Sequence, residues 1–397
     1  MMTKFAKRID RISEPQTLLM ANLARELRNT GVDLVDLSLG EPDFPTPSYI
    51  VEAAYQAMKD GFTKYPPVAG IPDLKQAIVD KFKKDNDLIY STDQIVVSTG
   101  AKQSLSNVVM ALLEEGDEAI IPTPYWVTYE ALVQLAKGKP VFVPCGIEDN
   151  FKISPKKLEA AITPQTRMFI FSSPCNPTGA VYSKEELKGL AEVFAKHPNV
   201  IIVSDEIYEY INYGVGHHSL ASFEEIKDRV VVINGFSKGY SMTGWRLGYM
   251  AANKEIAKAC AKYQSQITSG ANIIAQKAAV TAMMRLDEVK AMTSEFRKRR
   301  DYFLKALDDI PGVQTAMPDG AFYAFADMSS FFGKKHEGKV ISNADELTMY
   351  LLNVAHVTGV TGSAFGDDQC VRFSFAASME ELEEAVSRIE KALLALK

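Results

Sequence analysis

Four polar features of the sequence stand where side chains can meet a ligand: Lys238, Asp205, Asn176 and the stretch Ser98-Thr99-Gly100-Ala101-Lys102. Lys238 lies in Asn234-Gly235-Phe236-Ser237-Lys238-Gly239, after the apolar run Val230 to Ile233 and among small residues. Burial of such an amine lowers its pKa toward neutrality and makes it a nucleophile; in solvent it is an ordinary loop lysine. Asp205, in Ser204-Asp205-Glu206-Ile207-Tyr208, follows the run Val200 to Val203 and is expected at a strand's carboxyl end, where open α/β sheets place ligands. Its other reading is the cap of a following helix. Asn176 sits in the turn-rich Ser172-Ser173-Pro174-Cys175-Asn176-Pro177-Thr178-Gly179, which aims its amide into the same region. Ser98 to Lys102 puts small residues where a strand yields to a helix, so it is either a phosphate-binding helix N-terminus or a plain βα turn.

These groups need a scaffold that brings strand ends together. The short β-branched runs Ile95-Val97, Ala119-Ile121, Met168-Phe171, Val200-Val203 and Val230-Ile233 alternate with long amphipathic stretches. That alternation predicts an α/β fold with a mainly parallel sheet between helices. Ala101 to Leu112 repeats apolar residues at helical spacing, with Gly116 as a stop. Beyond about Met284 the texture changes to a charged helix (Phe296 to Leu307), a strand over Gly320-Tyr323, a polar stretch from Gly333 to Asn343, a strand Val371-Phe375 and a helix opened by the capping box of Ser378 and Glu381. This predicts a large domain over 48–284 and a smaller α+β domain made of 1–47 and 285–397.

Composition narrows the function. With 44 Lys+Arg against 50 Asp+Glu, net charge -6 and no dense basic block, nucleic acid is a poor partner. The four cysteines are far apart, without a C-x-x-C pair, and fit reduced thiols in a cytoplasmic protein. No export signal or membrane-spanning run is visible. There is no nucleotide-binding glycine motif or zincin motif, and the five histidines do not match metal spacing, so no metal is expected. The pair His217-His218 is expected on an exposed loop.

Taken in order along nearly the whole chain, several motifs resemble the class I, fold type I pyridoxal-phosphate aminotransferases, in particular their bacterial aspartate aminotransferase branch. They are Ser38-Leu39-Gly40-Glu41-Pro42-Asp43-Phe44, Lys64-Tyr65, Gly100-Ala101-Lys102-Gln103, Pro124-Tyr125-Trp126, Pro174 to Gly179, Ser204 to Tyr208, Ser237-Lys238, Gly244 to Tyr249, Gly320 to Tyr323 and Val371-Arg372-Phe373-Ser374. The resemblance implies pyridoxal 5'-phosphate as cofactor, joined to Lys238 as a Schiff base, and a ping-pong transfer of the amino group of aspartate or glutamate to a 2-oxo acid such as 2-oxoglutarate through a pyridoxamine form.

Lys238 would also move a proton between substrate and cofactor, and Asp205 would hold the ring nitrogen protonated. Tyr208 and Asn176 would hydrogen-bond the ring oxygen, and Trp126 would stack on the ring. Gly100, Ala101, Lys102, Ser237 and Arg246 would hold the phosphate, with Tyr65 supplied by the other subunit of a homodimer. Arg372 would bind the substrate carboxylate beside Gly40, Asn176 and Trp126, and the side chain of Lys102 would reach a second carboxylate. The opening segment Glu14-Pro15-Gln16-Thr17 lies near the expected place of the substrate side chain. Cys175 stands where relatives often carry asparagine, and Gly235 where some place a phosphate-binding hydroxyl. Prephenate or aromatic amino-acid transamination and carbon–sulfur β-elimination are rival chemistries on the same scaffold. A non-enzymatic effector-sensing role would need a preceding DNA-binding module, for which the chain leaves no room.

Overall fold

The computed structural model describes residues 5–397, so the first residues of the 1–47 segment lie outside the described residues. Its centre is a seven-stranded sheet of β1 (Ile95–Ser98), β2 (Glu118–Thr123), β3 (Lys139–Pro144), β4 (Thr166–Ser172), β5 (Ile201–Asp205), β6 (Val230–Gly235) and β7 (Gly248–Ala251), in the order β1-β7-β6-β5-β4-β2-β3. The pairs among β2 to β6 are parallel, and β7 runs antiparallel to both β1 and β6. Alternation along the strands divides the core. Val97, Ile120, Phe169, Ile202 and Val232 face one packed layer, while Val96, Ile121, Ile170, Val203 and Ile233 face the other. Because helices cover both faces, the strands read as unbroken apolar runs.

The register decides where the site forms. Ser172 pairs with Asp205, and Asp205 with Ile233, so β4, β5 and β6 end side by side and the chains leaving them emerge at one edge. The strand β5 starts one residue later than its apolar run predicts and takes in Ser204 and Asp205, which makes Asp205 its last residue. Sequence periodicity does not reveal β3 and β7. The Lys139–Pro144 strand is an edge strand with prolines at two positions, and β7 is a short antiparallel insertion.

A second, antiparallel sheet has the order β10-β11-β9-β8, from β8 (Gln314–Thr315), β9 (Tyr323–Asp327), β10 (Val360–Thr361) and β11 (Cys370–Ser374). Phe296, Phe303 and Leu304 of the helix Asp287–Asp308 and Leu382 and Ile389 of the helix Met379–Leu394 pack with Tyr323 and Phe373 of this sheet. The Ser378–Glu381 capping box forms as its spacing predicts. The strand expected at Gly320 to Tyr323 begins only at Tyr323: Ala321 has φ +54, and a Cβ on Gly320 would stand 2.6 Å from the Pro174 ring, so these residues form a tight crossing instead. The charged helix starts at Asp287, nine residues before the predicted Phe296, with Asp287 and Glu288 in its first turn. The N-terminal segment joins this half: Val35 pairs with Val357, and Ser374 N–H donates to the Leu37 carbonyl.

The expectation for His217 is overturned. Its ring is buried and its Nε2 lies 2.9 Å from the fully buried carboxylate of Glu206, which also accepts from Ser204 and Ser219. A loop composition conceals this, because the partner is eleven residues away on the turn after β5.

Candidate active site

A cavity of about 310 Å³ opens at the shared edge of β4, β5 and β6, between the two sheets. It gathers Gly40, Ala101, Lys102, Trp126, Asn176, Asp205, Tyr208, Ser237, Lys238, Arg246 and Arg372 from separate stretches of the sequence. Asp205 is 3% exposed. Its Oδ2 accepts the Tyr129 hydroxyl at 2.8 Å and its Oδ1 the Ile207 N–H at 3.3 Å, so it ends a strand and holds a turn, with no helix following. Burial raises its pKa to about 6, against the lowering effect of those donors.

Lys238 projects from the turn after β6 and its Nζ donates to the Gly40 carbonyl. Desolvation brings its pKa down to about 8; Glu41 acts in the opposite sense, and Arg372 and Arg246 add to the lowering. An amine in that range exists in both protonation states near neutral pH, as proton transfer requires.

Arg372 of β11 is 2% exposed and meets neutral oxygens only: Nη1 donates to Asn176 Oδ1 at 2.9 Å and Nη2 to the Ser38 carbonyl at 2.7 Å. Its Nε has no partner, and its guanidinium stacks 4.5 Å from the Tyr323 ring centroid. Among the described residues no carboxylate lies within ion-pairing distance of it. A buried cation held this way has unspent capacity for an anion.

On the opposite wall the helix Ala101–Leu112 begins with Gly100 at φ +83 and has no side-chain cap. The N–H groups of Ala101 and Lys102 find no acceptor among the described residues. A Cβ on Gly100 would stand 2.6 Å from Arg246 Nη2, so glycine lets the guanidinium lie against this helix start. Ser237 is buried beside them. Free N–H groups, a helix dipole and an arginine in one corner make an anion cradle. Lys102 Nζ lies 5.0 Å from the Trp126 ring centroid, and desolvation and Arg246 both lower its pKa. A Cβ at Gly235 would stand 2.9 Å from the Gly248 Cα, which leaves a side chain there no room without backbone movement.

Tyr65 is the predicted residue that the structure does not bring in. It is 96% exposed and outside the lining of its own chain's cavity. Pro15, Thr17 and Leu18 do reach the cavity mouth. Sequence reasoning assigned no role to Tyr129, which grips Asp205, or to Tyr323, whose hydroxyl is 2.7 Å from that of Tyr208. Tyr129 gave no clear signal, since Trp126 lies before the helix Thr128–Leu135 on which Tyr129 sits. Tyr323 reaches the site through the pairing of β9 with β11, a long-range contact that no local pattern announces.

An α/β enzyme of fold type I with a desolvated lysine facing a buried carboxylate is therefore defined by geometry and fold together. The family described as aminotransferase class I and II matches residues 32–389, and the chain belongs to it. A probable aspartate/prephenate aminotransferase of Rickettsia bellii is 48% identical over 395 residues, covering 98% of this chain and 99% of the relative. A bifunctional aspartate aminotransferase and glutamate/aspartate-prephenate aminotransferase of Petunia hybrida is 46% identical over 396 residues, covering 98% of this chain and 83% of the relative. The aspartate aminotransferase structure from Rhizobium meliloti superposes with a TM-score of 0.97 at 42% identity, covering 100% of both chains.

Proposed function

We propose that this aminotransferase binds pyridoxal 5'-phosphate in the cavity and moves the amino group of aspartate or glutamate to a 2-oxo acid such as 2-oxoglutarate. The residues fit the cofactor: Asp205 would pair with the ring nitrogen, Tyr208 and Asn176 would meet the ring oxygen, Trp126 would cover the ring, and Gly100, Ala101, Lys102, Ser237 and Arg246 would hold the phosphate. When bound, the cofactor supplies an electron sink for the negative charge left at the substrate Cα. Asp205, ionised above its pKa of about 6, keeps a proton on the ring nitrogen, and Tyr129 keeps that carboxylate aimed. Lys238 Nζ would take the proton from the substrate Cα and hand it to the cofactor carbon bound to the substrate nitrogen, so one amine serves as base and then as acid. Arg372 orients the substrate through its α-carboxylate, and the Gly40 segment closes the pocket against water.

The observation that carries this reading is the buried, carboxylate-free Arg372 facing the same cavity as Lys238 and Asp205. The test is purified holoenzyme with aspartate and 2-oxoglutarate, followed as oxaloacetate and glutamate formation. The wild type is expected to turn over and Lys238→Ala to lose activity by several powers of ten while remaining folded. Equal turnover by both would end this reading.

Prephenate, which stands in the names of both the Rickettsia and the Petunia relatives and also carries two carboxylates, is favoured as a second acceptor. Amino transfer from glutamate to prephenate at a rate comparable with oxaloacetate would establish it.

A homodimer with shared sites is part of the proposal, supported by the full exposure of Tyr65, which the partner's phosphate cradle would use. The division into 48–284 and 1–47 with 285–397 rests on the separate packing of the two sheets and on the pairing of Val35 with Val357. Cytoplasmic residence is supported by four buried free cysteines.

A further inference from the structure

Behind the turn that follows β5 lies a buried group of charges that the reaction does not touch. Glu209, one residue beyond Tyr208, accepts hydrogen bonds from three side chains on two distant elements. Lys81 and Asn86 come from the helix Pro72–Asn86, with Asn86 Nδ2 at 2.8 Å from Oε1, and Asn234 Nδ2 of β6 is 2.6 Å from Oε2. The side chains of Lys81 and Glu209 are 4% and 5% exposed. Asn234 stands four residues before Lys238, and Glu209 four residues after Asp205. One carboxylate thus ties the turn bearing Asp205 and Tyr208 to the strand end bearing Lys238.

An ion pair buried this deeply is a weak source of stability, because desolvating both charges offsets their attraction. What the arrangement supplies is direction: three donors converge on one carboxylate from two elements and fix its position. Burial raises the Glu209 pKa, but Lys81, His217 and the surrounding donors outweigh it and bring it down to about 2, so the anion persists.

We propose that Glu209, held by Lys81, is a positioning residue that locks the Asp205–Tyr208 turn against the strand leading to Lys238. This rests on the reading of Lys238 and Asp205 given above. Displacement of catalytic groups by about 1 Å costs up to a hundredfold in rate. The Glu206–His217 pair is anchored in the same turn.

The test is the holoenzyme carrying Lys81→Met with Glu209→Gln, which removes both charges and leaves a single acceptor oxygen where Asn86 and Asn234 each had their own. Its kcat is expected to fall by roughly tenfold to a hundredfold with KM for aspartate unchanged within about twofold. The pH midpoint of the bound cofactor's visible absorption should shift. Amides 205–211 should exchange faster in protein stripped of cofactor. Asn234→Ser keeps the Lys81–Glu209 pair and removes the tie to β6 together with the local Gly235 N–H contact, and is expected to lower kcat by roughly threefold to tenfold with little change in melting temperature. Unchanged kcat and absorption midpoint in both variants would overturn the inference, as would a loss of rate that follows melting temperature and vanishes on cooling. Lys238→Ala run alongside separates the two ideas: an active Lys238→Ala sinks the site assignment, whereas an inactive one beside normal positioning variants sinks only this proposal.

Discussion

Lys81 and Arg372 are both buried cations within reach of the same catalytic turn, and they are satisfied in opposite ways. Lys81 meets the Glu209 carboxylate, with Asn86 completing the group. Arg372 meets an amide oxygen and a backbone carbonyl, and its Nε meets nothing. The folded chain closes the first charge internally and leaves the second open to the cavity. A buried cation with its own carboxylate holds the scaffold, and one denied a carboxylate is kept for a ligand that brings one.

Removing each cation should therefore separate activity from stability. Arg372→Met is expected to lower kcat/KM for aspartate by about 5 kcal/mol, between a thousandfold and ten-thousandfold, since a desolvated charge-assisted contact is lost. The melting temperature without substrate should move by only a few degrees, as relief of desolvation offsets two lost hydrogen bonds. Lys81→Met alone should show the reverse emphasis, a loss of about 4 kcal/mol in denaturant unfolding, because it strands the buried Glu209 charge. If Arg372→Met proves the more destabilised of the two, the contrast between them is false.

The same contrast explains what could be read in advance. Strand runs such as Met168 to Phe171 are legible because a sheet covered on both faces demands continuous apolar residues. Lys238, Asp205 and Asn176 are legible because each follows such a run, where strand ends meet ligands. Family motifs supplied Arg372, Arg246 and the role of the Lys102 side chain, since the strand-to-helix pattern at Ser98 to Lys102 points only to its backbone. Glu209, Tyr323 and the buried His217 were not legible, since each takes its meaning from a partner on a distant element. The late start of the strand at Tyr323 depends likewise on the crossing with Pro174.

Asp205 extends the comparison to a buried anion. A carboxyl raised to about 6 in the folded state, against an ordinary value near 4, binds more protons folded than unfolded between those two pH values. Stability of the cofactor-free chain should thus fall as pH climbs from about 4 to 6 and lose nothing further from this group above that. Asp205→Asn should remove that fall and leave the variant more stable at pH 7.5 by about 3 kcal/mol, although it is catalytically crippled. Melting curves at pH 4, 6 and 7.5 without cofactor decide it. A variant less stable than wild type at pH 7.5 would mean that Tyr129 and Ile207 compensate the charge fully.

A smaller effect than these is expected at Lys102, a cavity cation with no carboxylate partner among the described residues. Its backbone stands at the uncapped helix start while its ammonium lies near the Trp126 ring in the same cavity, where under the proposed function it would meet a substrate side chain. A point charge there attracts a second carboxylate and offers nothing comparable to an apolar side chain. Lys102→Ala should therefore lower kcat/KM for aspartate by about 2 kcal/mol, roughly thirtyfold, and leave phenylalanine and alanine almost unaffected. A cation in the first turn of a helix opposes the dipole, so the fold itself gains little by keeping lysine at this position. The measurement is kcat/KM for all three donors at saturating cofactor, which removes any weakening of phosphate binding from the comparison. Equal losses toward dicarboxylic and neutral donors would assign Lys102 to the cofactor alone, and the preference for aspartate would then have to come from Thr17 and its neighbours at the cavity mouth.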